Sequence, residues 1–545
     1  MVNKTLDGAT QLEIVDTEQL PMAANKDPLA LRAQARANTE AEHAMSLRNA
    51  IRLYPKSVLY CVVLSMAIIM EGYQVGLVPS LFAQPAFQQK YGHARPDGSH
   101  QLDNRYQSAL TAAVQAGSIL GYWLSGILIE RIGYKRTMQG ALISITCFIF
   151  IIFFAPSIVL LVVGEGLLGI PWGIIQTLTT TYAAEVSPVA LRAYVTSYVN
   201  LCWAIGGFIS TGVLRGTVNR ADQWAYRIPF ALQWIWPVPI IVGVSFAPES
   251  PWWLVRKNRV EDARKALLRL TSSKDKSYDI DAVLAMICHT ISQEEHVDRG
   301  ARYRDCLRGI GLRRTEITCV AGAIPFLAGT GFTSQAVYFL SVAGLSSDAA
   351  YNLGLGQNAL GFIGVLTSWA LMHRFGRRTL YLWGLTITCI LLLLVGVLGS
   401  VPSVGNKDPI WATGALMMTY MFVYNACLGP VAYAVVGETP SSRLRNKTVA
   451  IARIFLNLFN FGGSWLNPAI INPTAWGLGG KGGYIWFSIA FATLVWTFFR
   501  FPEMKGRTYG ELDDLFQREV PARQFADAPA HVAAADETVA LQFVN

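Results

Sequence analysis

The sequence predicts an all-α membrane protein with twelve transmembrane helices in two six-helix bundles and both termini in the cytoplasm. Three observations lead there. Apolar runs of about twenty residues recur along the chain, each long enough to cross a hydrocarbon core of about 30 Å as a helix. Of 545 residues, 52% are hydrophobic and only 15% charged, and the mean hydropathy is +0.34, a balance that excludes an ordinary soluble multidomain protein. Alternating ten-residue strands are absent, which excludes a membrane barrel.

The runs centre near Val63, Val114, Phe148, Gly169, Trp203 and Pro237, then near Phe326, Gly361, Leu391, Met418, Leu458 and Phe491. Residues 1–56 are polar and lack the apolar h-region of a signal peptide, so they read as a cytosolic tail. The first bundle is expected over residues 57–247 and the second over 316–500. Between them lies a polar cytosolic loop, 248–315, and after them a cytosolic tail, 501–545, that reads as disordered beyond Arg518.

A net charge of +9 raises the question of nucleic acid, but the cations sit in alternate loops rather than in a basic domain of their own. Arg131, Lys135 and Arg136 follow the second span, Arg374, Arg377 and Arg378 the eighth, and Arg443, Arg445 and Lys447 the tenth. The positive-inside rule makes those loops cytoplasmic, and no nucleic-acid partner is expected. The eight cysteines show no Cys-x-x-Cys spacing, so neither a metal nor a cofactor is implied. The scattered histidines, with no nucleophile elbow or phosphate-binding loop, argue against an enzyme.

An internal repeat carries the most information. Arg131-Ile132-Gly133-Tyr134-Lys135-Arg136 after the second span is matched by Arg374-Phe375-Gly376-Arg377-Arg378 after the eighth. Glu185 precedes Arg192 after the fourth span as Glu438 precedes Arg445 after the tenth. Glu249 follows the sixth span within Pro248-Glu249-Ser250, and Glu503 follows the twelfth within Pro502-Glu503-Met504. Three signatures in the same order mark two homologous halves. Their glycines allow tight turns, and their opposite charges form a cytoplasmic gate network able to latch the halves. The alternative is that they only fix topology.

The repeated turn, Pro248-Glu249-Ser250-Pro251-Trp252-Trp253-Leu254 and Pro502-Glu503-Met504-Lys505-Gly506-Arg507-Thr508 resemble the sugar porter family of the major facilitator superfamily. Within it, Met70-Glu71-Gly72-Tyr73, Gly169-Ile170-Pro171-Trp172-Gly173, Asn200-Leu201-Cys202-Trp203 and Asn472-Pro473-Thr474-Ala475-Trp476 are similar to the fungal α-glucoside (maltose-type) permeases. The resemblance implies the major facilitator fold, a mid-membrane substrate site between the halves and alternating access. It also implies a monomeric plasma-membrane importer of an α-glucoside such as maltose, driven by proton symport.

Intramembrane charges are costly unless they face a wet cavity or a partner, which makes Glu71 and Glu165 the proton-coupling candidates. Each has a structural alternative as a fixed interhelical partner, as has Arg453 by snorkelling. The family's usual Gly-Tyr-Asp reads Gly72-Tyr73-Gln74 here, so the titratable group normally at that place is lost. The seventh-span Gln-Gln pair is replaced by Ile324-Pro325 and a fifth-span Gln by Gly207. A sugar needs neutral donors, acceptors and an aromatic surface. The resemblance aligns Asn200, Thr330, Asn425 and Tyr433 with positions where the family presents polar or aromatic groups, and Gln74, Gln335, Gln357 and Asn358 add amides. These eight are the substrate-binding candidates, with interhelical hydrogen bonding as the alternative for each amide. Two other readings remain open: a carrier of another solute (hexose, glycoside or secondary metabolite) without proton coupling, and a non-transporting sugar sensor.

Overall fold

The computed structural model describes residues 47–94, 100–272, 279–298, 303–401, 407–441, 444–505, 507, 509–526 and 528, without the side chains at 47, 189–190, 192–194, 196–197, 289–290, 292–298, 445–446, 509–511 and 513. Twelve long helices stand among them. The first six are Pro55–Leu81, Asn104–Ile132, Tyr134–Phe153, Ile158–Val186, Val189–Thr217 and Trp224–Phe246. The second six are Gly309–Val342, Ser347–Arg374, Arg377–Leu398, Asp408–Glu438, Arg445–Ile471 and Gly482–Arg500. Eleven are apolar enough by composition to cross a membrane; the fifth, Val189–Thr217, is 29 residues long with Arg215 in its last turn.

Packing divides these helices into two bundles. In the first, the second span lies on the fourth and the first on the fifth; in the second, the eighth lies on the tenth and the seventh on the eleventh. The second–fourth contact is close because both helices are glycine there. A β-carbon on Gly117 would lie 2.1 Å from the carbonyl oxygen of Gly166, and one on Gly173 would lie 2.3 Å from that of Ser118. With no hydrophobic effect to drive helices together in lipid, such backbone approach supplies the van der Waals contact instead. The halves meet along two seams, the second span against the eleventh and the fifth against the eighth.

Two spans break near mid-membrane. The seventh runs as Gly309–Leu327, Thr330–Thr333 and Ala336–Val342, interrupted after Pro325 where Gly329 takes φ +97°. The tenth runs as Asp408–Cys427 and Gly429–Glu438, interrupted before Pro430. Proline removes a backbone donor and clashes with the preceding turn, and the freed carbonyls find new donors. Tyr420 donates to the carbonyl of Ala328 at 2.7 Å, and Thr330 to that of Pro325.

Three expectations change. The loop after the sixth span is built largely of helices, Pro251–Arg256, Val260–Leu270 and Ile280–Asp298, around a small core of Leu254, Val260, Ala263, Leu267, Leu284 and Ile287. Its amphipathic period, apolar at 260, 263, 267 and 270, is hidden by the high charge between. The seventh span begins at Gly309 rather than 316, so Arg313 and Arg314 belong to its first turns. The chain beyond Arg518 is ordered as far as it is described: Phe525 is fully buried against Phe516, and Arg507 donates to the carbonyls of Phe525 and Ala526. Of the expected tails, 1–56 and 501–545, residues 1–46 and 529–545 lie outside the described residues, while Leu47–Leu53 is helical and the first span already begins at Pro55.

Candidate functional site

At the end remote from the charged turns, a neutral clasp joins the halves. Tyr338, late in the seventh span, accepts hydrogen bonds from Gln101 at 3.0 Å and Gln107 at 2.9 Å. Gln101 also donates to Asn472 Oδ1 at 3.1 Å, and Asn472 Nδ2 donates to the carbonyl of Leu102 at 3.0 Å. All five residues are buried. Beside them Tyr351 donates to the Ser80 carbonyl at 2.7 Å, and Arg215 pairs with Asp348 at 2.5 Å. Buried amide and phenol groups left without these partners would each cost free energy, so this end is held shut.

The charged turns at the other end are organised differently. Glu249 accepts from the backbone N–H groups of Tyr134 at 2.8 Å and Lys135 at 3.3 Å, at the N-terminus of the third span. Glu503 does the same for Arg377 at 2.9 Å and Arg378 at 3.1 Å at the start of the ninth. Both carboxylates thus meet the positive end of a helix. Burial pushes the Glu249 carboxyl up from the ordinary glutamate value, while the N–H groups of Tyr134, Lys135 and Ser250 pull it back. Glu185 pairs with Arg256 at 2.9 Å and accepts from Ser250, and Glu438 pairs with Arg377 at 3.0 Å. Arg378 caps the twelfth span through the carbonyls of Phe498 at 2.7 Å and Phe501 at 2.8 Å. Lys135 donates to the Ser245 carbonyl, and Arg131, Arg136 and Arg374 are exposed. The side chains of Arg192 and Arg445 lie outside the described residues. Every ion pair described on this face stays within one half.

Between the two ends lies a polar cluster to which both halves contribute. Glu71 of the first span is buried, and its Oε2 has no hydrogen-bond partner among the described residues. Tyr122 of the second span and Tyr433 of the tenth stand within electrostatic range of both Glu71 and Arg453. Tyr122 donates to Gln176, and Arg453, from the eleventh span, donates to Thr180 one turn further along the fourth at 3.4 Å. Tyr433 is 46% exposed, so its ring is open for stacking.

Glu165 occupies a separate, fully buried place inside the first bundle. Gln74 donates to both its oxygens at 2.7 Å and accepts from Gln233 at 2.7 Å. Gln74 is therefore turned toward the fourth span. The remaining candidates divide. Asn200 Nδ2 and Gln335 Oε1 are buried without a hydrogen-bond partner among the described residues, as is Trp203 Nε1, one turn from Asn200. Asn200 faces the break in the tenth span, its Nδ2 3.3 Å from where a β-carbon on Gly429 would lie. Thr330, Gln357 and Asn425 are spent on backbone carbonyls, of Pro325, of Thr333 at 2.9 Å and of Met421 at 3.0 Å. Asn358 donates across the seam to Thr211 at 3.1 Å, and its Oδ1 lies 2.7 Å from where a Gly207 β-carbon would be. The loss of a glutamine at 207 thus makes room for Asn358.

Sequence reasoning missed Tyr122, Gln233 and the clasp residues Gln101, Gln107 and Tyr338. Their only signal was polarity inside or beside an apolar run, which many structural residues share. No group of His, Cys, Asp and Glu among the described residues could hold a metal ion.

The chain is similar to known proteins over most of its length. A general α-glucoside permease of Saccharomyces cerevisiae is 38% identical over 497 residues, covering 90% of this chain and 80% of the permease. A maltose permease of the same yeast is 37% identical over 509 residues, covering 92% of this chain and 82% of its own. Among solved structures, a partially occluded inward-open form of the Escherichia coli xylose transporter XylE superposes with TM-score 0.66 at 18% identity, over 84% of this chain and 99% of XylE. The family model described as sugar (and other) transporter matches residues 60–516. The chain belongs to that family, and is a multi-pass membrane transporter rather than an enzyme.

Proposed function

We propose that this protein imports an α-glucoside such as maltose across a fungal plasma membrane, as a monomer, by proton symport with alternating access. The observation that carries the reading is Glu71, a buried carboxyl group with one unbonded oxygen, in a cluster lined by both halves. An ionised carboxylate there is costly while the cluster is sealed from water. Glu71 therefore takes a proton from the outer side, keeps it while the halves rock, and releases it when water enters and Arg453 favours the charged form. The substrate ring stacks on Tyr433, and its hydroxyls meet the unspent groups of Asn200, Trp203 and Gln335. The 38% identity to a general α-glucoside permease supports the substrate class.

The charged-turn face is taken as cytosolic from its excess of Arg and Lys. On that assignment the clasp shuts the outer side, and the inner face, where the ion pairs among the described residues stay inside one half, is the released one. When the inner face shuts, Glu185 and Glu438 exchange their present partners for cations of the opposite half and act as the latch. Replacing Glu438 with Gln then slows transport without impairing membrane insertion. Gln74, standing where the family's acid is lost, favours one second reading, a facilitator without protons. Uptake of labelled maltose into transporter-deficient yeast tests the substrate: accumulation supports the reading, and no uptake by a correctly inserted protein removes it.

A further inference from the structure

Where the seventh span begins and the twelfth ends, the helices leave a cavity of about 410 Å3, lined among others by Gly309, Ile310, Arg313, Arg500, Phe516 and Glu519. Its polar groups are held in place before any ligand arrives. Arg313 donates to the Val520 carbonyl at 2.7 Å and packs its guanidinium 5.4 Å from the Phe516 ring centre, but forms no ion pair among the described residues. Arg500 is fixed by Glu316 at 2.5 Å and is near enough to Arg313 for the two cations to repel, while Glu519 and Glu316 are near enough to attract Arg313. The seventh span opens here without a side-chain cap on its first N–H groups, which adds the positive end of a helix dipole. Glu519 supplies the one carboxylate of the lining. The lining is apolar at Phe499, which is 58% exposed, and Leu312, in the opening turns of the seventh span outside the lining, is 48% exposed.

We propose that this cavity binds the headgroup of phosphatidylserine from the cytosolic leaflet. The phosphate pairs with Arg313, whose planar fork suits it. The serine carboxylate turns to Arg500 and the helix N-terminus, the ammonium to Glu519, and the acyl chains run along Phe499 and Leu312. An anionic lipid without an amine satisfies the cations but leaves Glu519 unpaired, and a choline lipid offers Glu519 no N–H donor. The site is independent of the transported solute, so its failure leaves the transport reading untouched.

The test is native mass spectrometry of the full-length protein in nanodiscs of phosphatidylcholine doped with phosphatidylserine or with phosphatidylglycerol. One phosphatidylserine should stay bound, with phosphatidylglycerol roughly tenfold weaker. Glu519→Gln should erase that preference. Arg313→Gln risks loosening the segment it anchors, so Ile310→Glu, which adds a negative charge at the rim, is the companion variant and should release both anionic lipids. Equal retention of all three lipids, or undiminished retention in Ile310→Glu, overturns the proposal. Displacement by soluble glycerophosphoserine as effective as by lipid assigns the site to a free anion and also overturns it.

Discussion

A β-carbon at Gly376 would sit 1.9 Å from Glu503 Oε2, and one at Gly133 would sit 2.6 Å from Glu249 Oε2. Both turns need glycine because a carboxylate from the end of a distant span fills the space. Only Gly133 adds a left-handed backbone, φ +89°. The two sites should therefore respond differently. Gly376→Ala should cost about 1–3 kcal/mol by overpacking, read as thermal unfolding in detergent, and pairing it with the shorter Glu503→Asp should recover much of the loss. The same pairing at Gly133→Ala and Glu249→Asp should recover little, since a backbone cost of about 1–3 kcal/mol remains at φ +89°, ψ 173°. Equal recovery at both sites would refute the distinction. The repeat itself was plain in the sequence, but its chemistry was not. The glycines suggested turns and the glutamates suggested ion pairs. That Glu249 and Glu503 instead hold the backbone amides of a following helix depends on contacts more than a hundred residues apart. The Gln74–Glu165 bond was hidden for the same reason.

At the scale of elements, eleven of the twelve long helices are apolar enough to stand out by hydropathy, and the fifth, Val189–Thr217, was placed by the apolar run around Trp203 within it. The breaks at Pro325 and Pro430 in the seventh and tenth spans were not read from the sequence, since Pro79, Pro171 and Pro468 sit inside unbroken helices. Missed altogether were helices whose apolar stripe is diluted by charge, such as Val260–Leu270, and the packed segment around Phe525. The seventh span also sets the clasp, because its final helix, Ala336–Val342, carries Tyr338 to the opposite half. Tyr338→Phe leaves the Gln107 amide without that acceptor and should weaken closure of this end by about 1–3 kcal/mol. Double electron–electron resonance between labels at the outer ends of the first and seventh spans should show a larger outward-open population. An unchanged distance distribution would mean that the clasp does not govern that equilibrium.

For the whole molecule, the two seams and the breaks in the seventh and tenth spans bring polar groups of both halves together between the two ends, in the cluster around Glu71, Tyr122, Tyr433 and Arg453. Glu71, Tyr433 and Arg453 could be suspected from their positions in apolar runs; their convergence required the fold. Glu165 was also a candidate in the sequence, but the structure holds it inside the first bundle with both oxygens bonded to Gln74. Glu165→Gln should accordingly leave sugar-dependent proton uptake in place. The most direct test of the account is the external pH of a lightly buffered suspension of yeast expressing the protein when maltose is added, with Glu71→Gln alongside. The account predicts alkalinisation by the native protein and none by the mutant, which should still exchange labelled for unlabelled maltose. Alkalinisation that persists in Glu71→Gln would contradict it.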